Sequence, residues 1–203
     1  MTTTEPSRRE MILDAAVALF RTQGFHGAGI DDIGAAAGIS GPGVYRHFEN
    51  KHALLVAMSE RVVERLLAHN ERVAQEEANP MKALERLVKT HASFVFSSRE
   101  LITVYVIEER NLPGPARDRV NQKQREYVNG WVNFLSQLAP DGDESQLKAV
   151  AIAVIGMINT AGHPDSKDQN RAVVEQMAMA SLMAGALAVN RNSGERVPNE
   201  VSD

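Results

Sequence analysis

Seven of the chain's 14 glycines fall between Gly24 and Gly43, and no other feature restricts the fold as much. Glycine costs about 1 kcal/mol relative to alanine in a helix interior, so long helices are excluded there. What fits between Gly24, Gly27, Gly29, Gly34, Gly38, Gly41 and Gly43 is a pair of very short helices, Ile30 to Ala37 and Gly41 to His47. Gly38-Ile39-Ser40 is the turn between them. Pro42 sits in the first turn of the second helix, where its missing N–H costs little.

On either side of this region the periodicity is helical. Ser7 and Glu10 form a capping box that opens a helix running to about Gln23, with Ile12, Ala15, Ala16, Leu19 and Phe20 on one stripe and Gly24 as a left-handed terminator. Leu55, Met58, Val62, Leu66, His69 and Val73 step by three and four, which predicts a helix from Lys51 to about Ala78. Asn79-Pro80 starts another, to about Ser98. Leu101 to Ile107 has strand propensity, and its helical surroundings assign it to helix. A break at 111–115 precedes a helix carrying Val120, Gln124, Tyr127, Trp131, Phe134 and Leu138. Two more follow, Glu144 to Ala161 and Asp168 to Asn190. The expected fold is all-α, about nine helices. Its head is a three-helix unit over 1–50, its body spans 51–191, and a polar, disordered tail covers 192–203.

Composition removes several classes. With no cysteine, thiolate metal sites, disulfide scaffolds and cysteine nucleophiles are excluded. The N-terminus has no apolar stretch behind its charges, and the apolar run Ala149 to Ile158 is short of the roughly 20 residues that cross a bilayer. The expectation is a cytoplasmic chain without a membrane partner. The net charge is −4, and the first 51 residues carry five basic against six acidic side chains. Bulk charge therefore gives no support to nucleic-acid binding. The case must rest on where individual groups stand.

Two short helices joined by a glycine turn, behind a longer one, make a helix-turn-helix. In such a unit the second helix enters the major groove of DNA. Here that helix is 41–48. Val44 and Phe48 are expected to face a core with Phe20, Ile33 and Leu54, which leaves Ser40, Tyr45, Arg46 and His47 outward and Lys51 at the head of the next helix. The residues Ile12-Leu13-Asp14-Ala15-Ala16, Leu19-Phe20, Gly24-Phe25, Ile30-Asp31-Asp32-Ile33, Ala37-Gly38-Ile39-Ser40 and Val44-Tyr45-Arg46-His47-Phe48-Glu49-Asn50-Lys51 resemble the DNA-binding head of TetR-type transcriptional regulators. The resemblance covers roughly residues 8–55. It implies a homodimer whose last two helices form the interface and whose middle helices enclose a small-molecule effector, with operator DNA as the other partner. It also implies DNA contacts by Ser40, Gly41, Pro42, Gly43, Tyr45, Arg46, His47 and Lys51. Gly29 stands where relatives often carry a capping hydroxyl. The Gly-Pro-Gly tip leaves little side chain for reading bases.

In the body, small residues draw two seams, Ala149, Ala153 and Gly156 on one helix and Ala178, Ser181 and Gly185 on the last. Such seams suit either a dimer interface or close packing within one subunit, and the resemblance favours the dimer. His91, Phe94, Tyr105, Glu108, Glu109, Arg125, Tyr127 and Trp131 are the expected effector pocket. At least one of the two carboxylates points inward there, with Arg110 or Arg125 as candidate partner. The run Tyr105 to Pro113 is similar to that of some regulators of lipid catabolism that take acyl-coenzyme A. No histidine pair has metal-binding helical spacing, and no phosphate loop or Gly-x-Ser-x-Gly elbow occurs, so no metal, no cofactor and no enzymatic role is expected. The alternative is a helical ligand-binding protein or enzyme whose head does not bind DNA, motivated by the acidic head and the bare tip.

Overall fold

A computed structural model of the chain describes residues 7–163 and 167–194, without the side chains of 192–194. Among the described residues there are nine α-helices and no strand: α1 (Arg8–Gly27), α2 (Ile30–Ala36), α3 (Gly41–Val44), α4 (Lys51–Glu76), α5 (Pro80–Ser97), α6 (Arg99–Glu108), α7 (Gly114–Leu138), α8 (Glu144–Ala161) and α9 (Arg171–Gly194). Single 3-10 turns lie at Glu109–Asn111 and Asp168–Asn170. Leu101 to Ile107 is helical, as its neighbourhood dictated. The helix expected over 41–47 is only Gly41–Val44, followed by turns. From 195 onward the expected tail lies outside the described residues, and α9 continues to Gly194.

The helix starts follow their caps. Ser7 Oγ accepts from the Glu10 N–H while the Glu10 carboxylate accepts from the Ser7 N–H, which completes the capping box. Ser40 Oγ accepts from the Gly43 N–H, Asn79 Oδ1 from the Lys82 N–H, and Asp143 Oδ1 from the N–H groups of Ser145 and Gln146. Gly24 has φ 72° and ψ 166°, so the helical ladder breaks there at a left-handed residue as expected, and a short helical turn carries α1 on to Gly27. Gly38, at φ 70°, makes the turn of the helix-turn-helix.

The chain divides into two compact units whose boundaries differ from those expected. One comprises Met1–Arg65 and Ser98–Lys123, the other Leu66–Ser97 and Gln124–Asp203. The first unit therefore joins the head to α6 and the start of α7. Its core holds Ile12, Ala16 and Phe20 of α1, Phe25, Ile33, Val44, Phe48, and Leu54, Leu55 and Met58 of α4, all buried. Phe20 and Phe25 meet edge-on at 5.3 Å. From α6, Ile102, Val104 and Tyr105 are buried as well.

The second unit is a bundle built around Leu84, Leu87, Val88, Trp131, Leu135, Leu147 and Leu182. In it α8 packs on α9, and both pack on α5. Ala178, Leu182, Ala186 and Val189 are the buried face of α9. A Cβ on Gly185 would lie 2.6 Å from the Val150 side chain. Ala178 and Gly185 therefore serve contact within the subunit, which corrects their assignment to a dimer seam; Ser181 is exposed. The outward side of α9 carries Val173, Met177 and Leu187, each more than half exposed. On α8, Ala149, Ala153 and Gly156 face outward with Ile152. Among the described residues one stretch, Asp168–Arg191, is long and apolar enough to cross a membrane by length and composition, and 28% of its apolar 18-residue segment is buried.

Candidate nucleic-acid interface

The head presents one polar face. Val44 and Phe48 are consumed by the core, as their spacing of four requires, and this turns Tyr45, Arg46 and His47 outward. Tyr45 is 55% exposed although it is a large aromatic. Among the described residues the Arg46 side chain has no acceptor within the subunit. Ser40 and Pro42 are exposed beside them, and Ser40 keeps its O–H free to donate while its oxygen caps α3. These groups supply a hydroxyl, a phenol, a guanidinium and an imidazole within eight residues of chain.

Two of the expected contacts have other duties. Gly41 is buried, and a Cβ there would sit 1.8 Å from Asp31 Oδ1, so a side chain at this position requires the Asp31 carboxylate to swing aside. Lys51 is half-buried. Its Nζ donates to the carbonyls of His26 at 3.3 Å and Ala28 at 3.0 Å, and it lies 4.8 Å from the centre of the Phe25 ring. Two of its three N–H donors thus satisfy carbonyls at the broken end of α1. Arg9 covers the Phe48 ring at 4.6 Å and ties the start of α1 to the end of the recognition segment.

The expected pocket residues fall in both units. In the second, His91, Tyr127 and Trp131 are drawn together: the Tyr127 hydroxyl is 2.9 Å from His91 Nδ1, and Trp131 stands edge-on to both rings. His91 Nε2 is 3.0 Å from Asn159 Oδ1. The carboxamide oxygen accepts from Nε2–H, which leaves Nδ1 to accept from the phenol. Burial pushes the His91 pKa down to about 4, only partly opposed by the Asn159 bond, so the ring is neutral. Burial also raises the Tyr127 phenol well above its ordinary value. Asn70 Nδ2 donates to the Tyr127 carbonyl at 2.8 Å. Phe94 is buried on α5, and Arg125 is exposed on α7. Asn70 and Asn159 were missed because a lone asparagine in an apolar helix gives no periodic signal.

In the first unit Tyr105 is buried, its phenol raised by burial and then by the Glu109 charge. Glu108 is the inward carboxylate, 5% exposed. Its partner is neither Arg110 nor Arg125. Oε1 accepts from the Phe25 N–H at 3.1 Å and Oε2 from Asn111 Nδ2 at 2.6 Å. Glu109 is half-buried.

Residues 12–58 match the model of bacterial regulatory proteins of the tetR family, and 77–163 match the tetracyclin repressor-like C-terminal domain. The chain is 25% identical over 134 residues to the fatty acid metabolism regulator protein of Bacillus subtilis, covering 66% of this chain and 67% of that one. A TetR-family transcriptional regulator from Bordetella parapertussis superposes with a TM-score of 0.77 at 26% identity, covering 87% and 93% of the two chains. The regulator FadR from Bacillus subtilis, solved in complex with stearoyl-CoA, shares the fold with a TM-score of 0.72 at 21% identity, over 86% and 97%. With head and body each matched in chain order and the exposed recognition face in place, the chain belongs to the TetR family of bacterial transcriptional regulators.

Proposed function

We propose that the protein is a homodimeric, cytoplasmic repressor that leaves its operator when an acyl thioester or similar lipid-like effector binds the body, and that it has no enzymatic role. The observation that carries the DNA half is the exposed Tyr45-Arg46-His47 face on a recognition segment whose apolar residues are fully used by the core. The effector half rests on the buried, uncharged His91–Tyr127–Trp131 cluster and on the stearoyl-CoA bound by FadR. Each recognition segment reads one half-site, and the effector acts only through its different affinity for two arrangements of the dimer. Fluorescence anisotropy with duplex DNA from upstream of the protein's own gene, with and without stearoyl-CoA, tests the reading. It stands if binding is sequence-specific and weakened by the thioester, and falls if binding is equally weak on every duplex.

Arg46 and Lys51 act differently on DNA. Arg46→Ala lowers the slope of log affinity against log salt by about one unit and leaves thermal stability unchanged, as loss of one phosphate contact requires. Lys51→Ala instead lowers the melting temperature and weakens binding with a smaller change in slope, because it uncaps α1. Equal slopes for wild type and Arg46→Ala would remove Arg46 from the phosphate contacts.

The second copy covers Ala149, Ile152, Ala153 and Gly156 of α8 and Val173, Met177 and Leu187 of α9. A Cβ on Gly156 meets nothing within 4 Å in the subunit. Gly156→Leu is therefore harmless to the protomer and disrupts only the partner contact. Sedimentation is expected to show a folded monomer; an intact dimer would place the interface elsewhere.

A further inference from the structure

We propose that Glu108 is the coupling residue of this regulator: the end of α6 sets the geometry of the helix-turn-helix by supplying the acceptor that the broken end of α1 lacks. At Gly24 the chain leaves α-helical geometry, which turns the Phe25 N–H out of the helical ladder. That N–H is buried and must find an acceptor. It finds one 83 residues away, in Glu108 Oε1. The acceptor is seated closely, since a Cβ on Gly24 would lie 3.8 Å from the same oxygen.

The contact belongs to a chain of bonds. Glu108 Oε2 accepts from Asn111 Nδ2, and Asn111 Oδ1 lies 3.1 Å from His26 Nε2. The His26 and Ala28 carbonyls receive Lys51 at the head of α4, and α2 begins at Ile30. Residues 25–28 are thus gripped by α6 on one side and α4 on the other, immediately before the helix-turn-helix. Arg117 steadies the segment behind Glu108, its guanidinium donating to the carbonyls of Arg110 and Leu112. The start of α6 also packs on α1, where the exposed Arg21–Glu100 pair at 3.0 Å adds a weak link in water. A shift at the end of α6 must either carry residues 25–28 with it or strand a buried N–H and a buried carboxylate together, and the second course is strongly disfavoured. Glu108 acts through Phe25 and touches neither DNA nor effector; it is a positioning residue. The inference rests on the repressor reading above.

The test uses the full chain with Glu108→Leu, which keeps the volume and removes the acceptor, and Glu108→Gln, which keeps it. Hydrogen exchange of the peptide 21–29 should quicken about tenfold or more in Glu108→Leu, with the α8–α9 peptides unchanged, and stay within about twofold of wild type in Glu108→Gln. Coupling is reciprocal, so an arm independent of any effector exists. Adding the upstream duplex should slow exchange over 103–112 in wild type and in Glu108→Gln but not in Glu108→Leu. Stearoyl-CoA should alter exchange over 21–29 in wild type and not in Glu108→Leu, while its affinity, read from the fluorescence of Trp131, the chain's only tryptophan, stays within about threefold. The proposal is overturned if Glu108→Leu leaves 21–29 unchanged, if Glu108→Gln behaves like Glu108→Leu, or if DNA leaves 103–112 of the wild type unchanged. If Glu108→Leu does not fold, Asn111→Leu, which cuts the His26 branch, must show the same loss of DNA protection over 103–112. A wild type that binds the duplex but ignores the thioester removes the effector reading and leaves the coupling to the DNA arm.

Discussion

Gly34→Val is expected to abolish specific DNA binding while leaving the chain helical. Gly34 lies in α2, buried, where the turn to the recognition segment folds back over it. A Cβ at this position would come to 3.0 Å from three backbone atoms at once, Ile39 O, the Ser40 carbonyl carbon and Gly41 N. Real Cβ contacts are essentially never closer. These are backbone atoms, which cannot swing aside as a side-chain end would. They are also fixed by the bond from the Ile39 N–H to the Gly34 carbonyl at 2.9 Å and by Gly38 at positive φ. The two γ carbons of valine reach further still, so the turn must move and α3 with it. Overpacking of this kind costs about 1–3 kcal/mol of stability. The larger effect is on DNA, because the phosphate and base contacts tolerate little displacement: affinity should fall on the order of a hundredfold or more, as for loss of two or more good contacts. Anisotropy on the upstream duplex together with circular dichroism decides the matter. A valine variant that binds within a few-fold of wild type would show that the α2–α3 approach is not what aims the recognition segment.

Acidification is expected to destabilise the body by about 3 kcal/mol through His91 alone. In the unfolded chain a histidine takes up a proton near pH 6.5, whereas in the fold His91 does so only at about 4, because it is buried. Between these values the unfolded state holds the extra proton. Stability is therefore full above about pH 6.5, falls steadily as pH drops, and levels off below about 4. His69 is depressed by burial too and works in the same direction. Urea unfolding at pH 7 and pH 4.5 should show the loss in wild type. His91→Phe should be less stable at pH 7, since Tyr127 and Asn159 lose their partner, and yet lose distinctly less stability between the two pH values. The same pH dependence in both proteins would contradict a neutral His91.

Much of the head was legible because its determinants are local. The capping box at Ser7, the positive φ of Gly24, the turn at Gly38-Ile39-Ser40 and the four-residue spacing of Val44 and Phe48 are each set within a few residues of chain. The same locality explains what was misread. Gly24 reads as a left-handed helix end and is one, but the sequence does not show the carboxylate 83 residues on that accepts from the next N–H. Glu108 reads as a pocket wall awaiting an arginine, since nothing local announces a backbone N–H as its partner. Gly41 reads as a bare tip for DNA, and nothing local shows that the Asp31 carboxylate lies where its Cβ would be. Ala178 and Gly185 satisfy the small-residue rule equally well for either kind of seam, and only the position of Val150 decides. Lys51 has the same ambiguity, because an ammonium suits a carbonyl as well as a phosphate.

The claim on which the rest stands is that Tyr45, Arg46 and His47 face DNA from a head whose total charge does not favour it. Anisotropy titrations of wild type and a Tyr45→Ala, Arg46→Ala, His47→Ala triple variant, on the upstream duplex and on a scrambled duplex across a salt series, test it most directly. The account predicts a wild type that prefers the upstream duplex with a steep salt slope, and a stable triple variant that has lost both preference and slope. A triple variant that binds the upstream duplex with wild-type affinity and slope would contradict it.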